Sequence, residues 1–144
     1  MGYLVDTNVI SEPETKHPNA NVLAWLARVD FGELYISALT VGEIKKGVVK
    51  LEAGTRKAHI QNWLEELRKK FAGRILSLSE TTFIEWGKMV GKFEQKGIVR
   101  PPYDSLLEAT ALEHDLILVT RNVKNFQDSS VTILNPWEKD KGGT

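Results

Sequence analysis

The stretch Tyr3-Leu4-Val5-Asp6-Thr7-Asn8 holds a short apolar run that stops at an acid. A short apolar run bounded by a polar residue predicts a buried β-strand at residues 3–5. Asp6 then lies at the carboxyl end of that strand, where open parallel sheets form their binding crevices. Asp6 is therefore the first candidate site residue, provided that the rest of the chain folds as an α/β protein.

Apolar periodicity along the rest of the chain predicts strands that alternate with helices. Short apolar runs predict further strands at 34–36, 75–78, 116–119 and 131–134. Apolar residues spaced three or four apart predict helices at 19–29, 40–51, 55–72, 79–96 and 104–114. This alternation is typical of an α/β fold with a small, mainly parallel central sheet that helices cover well.

Composition limits the classes of protein that the chain can represent. With 144 residues, of which 42% are hydrophobic, we expect one domain at 1–138 with a real core, followed by a polar tail at 139–144 that frays. The chain has no cysteine, which excludes disulfides and thiolate metal sites and fits a cytoplasmic protein. No apolar run approaches the ~20 residues of a membrane-spanning helix, and no signal peptide is visible. The formal net charge is zero, so any contact with nucleic acid must come from a local basic patch.

Two further acids occupy positions like that of Asp6. Glu43 lies near the start of the helix that follows the strand at 34–36, and Asp104 opens a helix after two prolines. The three side chains can face one crevice beyond the ends of the strands. Converging carboxylates bind hard divalent cations, so the pattern points to metal-assisted chemistry.

Each of the three acids also fits a purely structural role. Asp6 can cap a helix that begins near Asn8. Glu43 can form a capping box with Thr40. Asp104 can stabilise the positive end of its helix. Only the combination of the three favours a site.

The residues around the three acids resemble the motifs of the PIN-domain family. The matching stretches are LVDTNVISE (4–12), SALTVGEIKKG (37–47), DSLLEATA (104–111) and LVTRNVKNF (118–126). They occur in the family's order, and the resemblance continues through Trp137 to cover nearly the whole chain. Within the family the chain is most similar to the VapC toxins, especially the FitB-like branch.

The resemblance implies a three-layer α/β/α sandwich that works as a metal-dependent endoribonuclease toxin. It implies RNA as the substrate, a VapB-type antitoxin as the inhibitor, and a homodimer that enters a larger complex with the antitoxin. Asp6, Glu43 and Asp104 match the acids that hold Mg²⁺ or Mn²⁺ in the family, and are expected to be the catalytic residues. A bound Mg²⁺ activates water and offsets charge on the phosphate during phosphodiester hydrolysis.

The fourth motif departs from the family pattern. The family often has an acid at the position of Asn122 or Asn125, and here both are amides, which can ligate a cation without neutralising its charge. Glu108 stands where the family commonly has a small residue, one helical turn after Asp104. It is either a further group at the metal pocket or its rim, or a solvated helix residue.

Several other residues are candidates for supporting roles. Thr7, Asn8 and Thr120 are expected to hold Asp6 or a phosphate, and Arg121 either contacts phosphate or forms a surface ion pair. A set of basic residues either lines a path for RNA or belongs to solvated faces: Lys45, Lys46, Lys50, Arg100 and Lys124. A set of apolar residues on one helix is a candidate subunit contact: Ile60, Trp63, Leu64, Leu67 and Phe71.

Two alternatives remain open at this stage. A phosphoryl-transfer enzyme of the haloacid dehalogenase kind also has an Asp after its first strand. That family requires a second Asp two residues later, where this chain has Asn8. A PIN-like binding module without catalytic activity is the other alternative. The three retained acids argue against it, whereas Asn122 and Asn125 keep it open.

Overall fold

Five strands form one parallel sheet in the computed structural model, which describes residues 2–139. The strands are β1 (Tyr3–Val5), β2 (Leu34–Ser37), β3 (Ile75–Leu76), β4 (Ile117–Val119) and β5 (Ile133–Leu134). Their order across the sheet is β3-β2-β1-β4-β5, so the first strand of the chain is central. The predicted α/β class with a small parallel sheet is confirmed.

Six α-helices connect the strands within the described residues. They are α1 (Thr7–Ile10), α2 (Ala20–Arg28), α3 (Ala38–Lys50), α4 (Thr55–Lys70), α5 (Glu80–Gln95) and α6 (Pro102–Glu113). Short 3₁₀ segments lie at Glu12–Glu14, Phe31–Glu33 and Val123–Phe126. The five helices and five strands expected from periodicity are all present, and their ends agree with the predicted ones to within two residues.

Side chains of β1 and β4 alternate between two hydrophobic cores. Val5 and Val119 belong to a core that contains residues of α2, α3 and α4. Leu4 and Leu118 belong to a second core, which α6 and the segment after β4 complete. Successive residues of a strand point to opposite faces of the sheet, so one sheet with a core on each face makes the predicted three-layer α/β/α sandwich.

The predicted capping box at Thr40 and Glu43 is wrong. Helix α3 begins at Ala38, because β2 runs directly into it and Ser37 caps it with a side-chain oxygen 3.0 Å from the Leu39 amide. Thr40 and Glu43 therefore lie inside the helix, and the Glu43 carboxylate is not used for capping. Asp104 lies in the first turn of α6, which begins earlier than expected with Pro102.

The predicted frayed tail falls mostly at 140–144, which lies outside the described residues. No helix within 2–139 is long and apolar enough to cross a membrane.

The central position of β1 predicts a large cost for any cavity made there. Leu4→Ala removes a side chain that is 0% exposed, and we expect it to lower the free energy of unfolding by about 2–5 kcal/mol. Val49→Ala is the control, because Val49 is 63% exposed on α3 and its truncation is expected to change stability by less than about 0.5 kcal/mol. Urea denaturation of both variants measures the difference. Equal effects in the two variants would contradict the central placement of β1.

Candidate metal centre

The fold brings the three acids to the carboxyl ends of neighbouring strands. Asp6 directly follows β1, and Glu43 lies in the second turn of the helix that follows β2. Asp104 lies in the first turn of α6, and because α6 leads back into the parallel strand β4, that turn also lies at the carboxyl end of the sheet. Glu43 raises the pKa of both Asp6 and Asp104 by charge repulsion, so the three side chains lie close enough to sense one another.

Asp6 is held by hydrogen bonds to both of its carboxylate oxygens. Oδ1 accepts from the Thr7 amide at 2.7 Å, which makes Asp6 the cap of α1. Oδ2 accepts from the Thr120 hydroxyl at 2.8 Å and from the side-chain amide of Asn8 at 3.5 Å. Asp6 therefore caps α1 while it lies among the three acids, and Thr7, Asn8 and Thr120 each donate a hydrogen bond to it.

Burial raises the pKa of Asp6 to about 6. Desolvation is the largest cause, since the residue is only 3% exposed. The hydrogen bonds from Thr120 and Thr7 lower the pKa, and the charges of Asp104 and Glu43 raise it. The fold thus keeps a carboxylate in a place that disfavours its negative charge.

Asp104 has a similar environment with a different partner. Its Oδ2 accepts from the side-chain amide of Asn125 at 2.9 Å. Burial raises the pKa of Asp104, the Asn125 hydrogen bond lowers it, and the charges of Glu43 and Glu108 raise it further. Asn125 therefore supports Asp104 through a hydrogen bond from its amide nitrogen.

Glu43 differs from the two aspartates because its carboxylate has no partner. The side chain is half-buried, and within residues 2–139 it accepts no hydrogen bond and forms no ion pair. A half-buried carboxylate with unused oxygens is suited to bind a cation or to accept a proton.

Tyr103 is a residue of the site that sequence reasoning missed. Its phenol oxygen lies 3.0 Å from the Thr7 hydroxyl. Burial raises the pKa of Tyr103 to about 12, with the charges of Glu43 and Asp6 adding to the effect, so the phenol stays protonated among the acids. A tyrosine directly before Asp104 was visible in the sequence, but nothing in the pattern indicated that its hydroxyl reaches the residue after Asp6.

The donor set fits a hard divalent cation. The side chains in contact with Asp6 and Asp104 are hydroxyls and amides of Thr120, Asn8 and Asn125, and no lysine or arginine binds either carboxylate among the described residues. Oxygen-rich sets of this kind suit Mg²⁺ and Mn²⁺. As the side chains stand, no three acidic or histidine side chains within 2–139 are close enough to chelate an ion.

The fourth motif lies beside the cluster but contributes unequally. The Thr120 hydroxyl also accepts a hydrogen bond from the backbone amide of Asn122 at 3.1 Å. The side chain of Asn122, by contrast, is exposed and bonds to none of the acids. The Arg121 amide donates to Asn8 at 3.4 Å, and its guanidinium lies over the Trp137 ring at 5.1 Å. Arg121 therefore packs on an aromatic ring, and within residues 2–139 it forms no surface ion pair.

Glu108 is neither a solvated residue nor a free ligand. It is 0% exposed, and both of its oxygens accept from Arg100, at 2.9 Å from Nε and 3.3 Å from Nη2. Arg100 is buried too, so its predicted place on a path for RNA is wrong. The charge of Glu108 raises the pKa of Asp104 and that of Arg100 lowers it, so the ion pair lies near the Asp104 carboxylate.

The candidate subunit contact on α4 is largely internal. Leu64, Leu67 and Phe71 are buried in the core on one face of the sheet, and Ile60 and Trp63 pack against that core. Helix α4 presents these side chains inward because they recur on one helical face. The prediction of a subunit contact through the buried members of this set is therefore wrong.

The fold and the site together define a class of protein: a parallel α/β domain with an acidic site at the carboxyl end of its sheet. Residues 3–128 match the family model described as PIN domain. The chain belongs to the PIN-domain family.

Comparisons with known proteins agree with this assignment. The chain is 36% identical over 135 residues to the Toxin FitB of Neisseria gonorrhoeae, covering 93% of this chain and 97% of that protein. It is 35% identical over 136 residues to the VapC ribonuclease Y4jK of Sinorhizobium fredii, covering 94% and 97%. Among solved structures, FitAB bound to an IR36 DNA fragment contains a chain with a TM-score of 0.92 and 33% identity, covering 97% of this chain and 99% of that chain.

The raised pKa of Asp6 predicts how stability depends on pH in the metal-free protein. The folded state keeps the proton up to about pH 6, whereas an unfolded aspartate loses it near 3.8. Unfolding therefore releases a proton between these values, and stability falls as the pH rises from about 4 to about 6, by on the order of 3 kcal/mol. Asp104 contributes in the same direction.

Urea unfolding in EDTA between pH 4 and 7.5 measures this dependence. We expect Asp6→Asn to show a shallower decline and higher stability than wild type at pH 7, since asparagine also caps helices. Glu94→Gln, at an exposed position of α5, should decline as wild type does. If the stability of Asp6→Asn declined with pH as steeply as that of wild type, the raised pKa of the buried Asp6 carboxylate would be contradicted.

Proposed function

We propose that this protein is a metal-dependent endoribonuclease that acts as a toxin and that a cognate antitoxin holds inactive. The observation that carries the proposal is the meeting of Asp6, Glu43 and Asp104, from three distant segments, at one end of the sheet. Family membership supports it, since one relative is named a toxin and another a ribonuclease.

The proposed cation is Mg²⁺ or Mn²⁺, held by Asp6, Glu43 and Asp104. When bound, it supplies an activated water and offsets charge that develops on the scissile phosphate. Asp6 and Asp104 are suited to hold the ion in a fixed place, because hydrogen bonds orient both of their carboxylates. Glu43, with no such partners, is suited to complete the ligand set or to take the proton of the attacking water.

The amides of the fourth motif favour one tightly held cation over two. Asn125 already donates to one oxygen of Asp104, and Asn122 turns to solvent. Without a carboxylate in the fourth motif, a second ion would have no negatively charged ligand of its own there, since an amide can ligate a cation but cannot neutralise its charge.

RNA contacts are proposed for exposed basic residues and for uncharged donors in the crevice. Lys46, Lys50 and Lys124 are exposed, and exposed Lys45 is bound to Gln61 at 2.7 Å. Basic side chains of this kind bind the phosphate backbone without reading sequence. The protonated Tyr103 phenol is a further donor within the acid cluster.

The proposed partners follow from the relatives. FitB is a toxin that was solved as part of FitAB on DNA, so we expect this protein to pair with an antitoxin of its own and to form a homodimer within that complex. The absence of cysteine fits a protein of the reducing cytoplasm.

Both alternatives account for the site less well than the proposed function does. An enzyme with an aspartate nucleophile of the dehalogenase pattern needs a second acid at position 8, where this chain has Asn8. A binding module has no use for three mutually repelling carboxylates, since repulsion and burial only destabilise the fold.

Removing one carboxylate is expected to abolish cleavage without unfolding the protein. Asp6→Asn and Glu43→Gln should each lower the rate of RNA hydrolysis by at least about 100-fold, because each removes a charged ligand of the cation. Glu94→Gln serves as the matched control and should retain full activity. The measurement is cleavage of a labelled RNA in Mg²⁺, with circular dichroism to verify folding. Undiminished cleavage by clean, folded Asp6→Asn would refute the assignment.

Divalent metal is expected to stabilise the wild-type protein selectively. A ligand that binds only the native state adds about 2.7 kcal/mol at a hundred times its Kd, so Mg²⁺ or Mn²⁺ should raise the Tm of wild type by several degrees. Asp6→Asn should show a much smaller rise in Tm. Sodium chloride of equal ionic strength, without divalent cations, should produce no rise in wild type. Equal rises in wild type and Asp6→Asn would count against a site at Asp6.

A further inference from the structure

A buried ion pair lies next to the acid cluster without belonging to it. Arg100 and Glu108 have side chains that are only 4% and 1% exposed. The guanidinium binds both carboxylate oxygens of Glu108, through Nε at 2.9 Å and Nη2 at 3.3 Å. A two-point contact of this kind fixes orientation as well as distance.

Arg100 ties three separate segments together. Its guanidinium lies 4.2 Å from the ring centroid of Phe93, in the last turns of α5. Its Nη2 also donates to the backbone carbonyl of Gln127, just after the 3₁₀ segment Val123–Phe126. Glu108 anchors the same guanidinium to α6, one helical turn after Asp104.

The segment that Arg100 anchors also carries the partner of Asp104. At its beginning, the Asn122 amide donates to Thr120, whose hydroxyl binds Asp6. In its middle, Asn125 donates to Asp104 at 2.9 Å. At its end, Gln127 is held by Arg100. Residues 122–127 are therefore attached to the acid cluster at two points and to the ion pair at the third.

Stability alone does not account for an ion pair in this place. Well-packed apolar side chains of similar volume commonly stabilise a buried site as well as an ion pair does, or better. What an apolar pair cannot provide is a planar fork that binds a carboxylate and a backbone carbonyl at once. The distinguishing property of Arg100 and Glu108 is thus the geometry that they impose on α6 and on residues 122–127.

We propose that the Arg100–Glu108 pair positions the metal centre: it holds residues 122–127 so that Asn125 keeps the Asp104 carboxylate turned toward Asp6 and Glu43. Arg100 and Glu108 are positioning residues and do not touch the cation or the RNA. The proposal rests on the proposed function, and it identifies residues outside the acid cluster on which that cluster depends.

The test replaces the whole pair by apolar side chains so that no buried charge is left unpaired. Arg100→Met combined with Glu108→Leu is compared with Asn125→Ala and with the variant that carries all three changes. The matched control is Arg68→Met with Glu65→Leu, which removes an exposed ion pair of α4. Two readouts are used: Mg²⁺ affinity by titration calorimetry, and the Asn125 side-chain amide signals in NMR spectra of the metal-free protein.

We expect the apolar pair to weaken Mg²⁺ binding about 10-fold, which is typical when a residue that orients a metal ligand is removed. We also expect it to shift the Asn125 side-chain amide signals toward those of a free amide. Asn125→Ala should weaken binding to a similar degree. The triple variant should lose no more Mg²⁺ affinity than the apolar pair or Asn125→Ala alone, because all of these changes break the same connection between the ion pair and Asp104. The Arg68/Glu65 control should match wild type in both readouts.

Two results would overturn the proposal. One is a folded apolar pair with wild-type Mg²⁺ affinity and unshifted Asn125 signals, and the other is a triple variant whose losses add fully. If the variant with the apolar pair does not fold, Arg100→Lys is measured instead, since lysine keeps the positive charge but lacks the planar guanidinium. Wild-type Asn125 signals in that variant would reject the proposal. Wild-type protein that binds no Mg²⁺ would refute the proposed function instead, while the Asn125 signals would still report on the pair.

Discussion

The arrangement of this protein depends on keeping Asp6 in one orientation at the end of the central strand. Both oxygens of its carboxylate are taken by hydrogen bonds, from the Thr7 amide and the Thr120 hydroxyl. The bond from Thr120 connects the ends of β1 and β4, which lie side by side in the sheet. Burial still raises the pKa of Asp6 to about 6, so the hydrogen bonds only partly offset the cost of desolvation. A cation is the counter-charge that would remove the remaining cost.

The acids around Asp6 illustrate a conflict between stability and function. Glu43 and Asp104 each raise the pKa of their neighbours by repulsion, and a domain built only for stability would place apolar or oppositely charged groups there. Local rules of this kind are commonly broken at functional sites and compensated elsewhere. Here the compensation lies in the two hydrophobic cores beneath the site.

Local pattern was enough to predict the α/β class, all five strands and the five longer helices, whereas the short helix α1 was not predicted from periodicity. Apolar periodicity reports which side chains must be buried, and that requirement is the same whatever the neighbours are. Element ends were less well predicted, since β2 continues into α3 without a loop and Ser37 replaces the expected cap at Thr40. Competing cap residues lie close together in the sequence, and only packing of the strand selects among them.

The sequence by itself determined the fold class, and it marked the three acids as candidate site residues because each lies after a strand or near the start of a helix. The tertiary structure alone decided three matters. It joined Glu108 to Arg100, placed the Tyr103 phenol beside Thr7, and turned Asn125 toward Asp104. The physical reason is that hydrogen bonds and ion pairs act over about 3 Å, and which side chains come within that distance depends on how distant segments pack together.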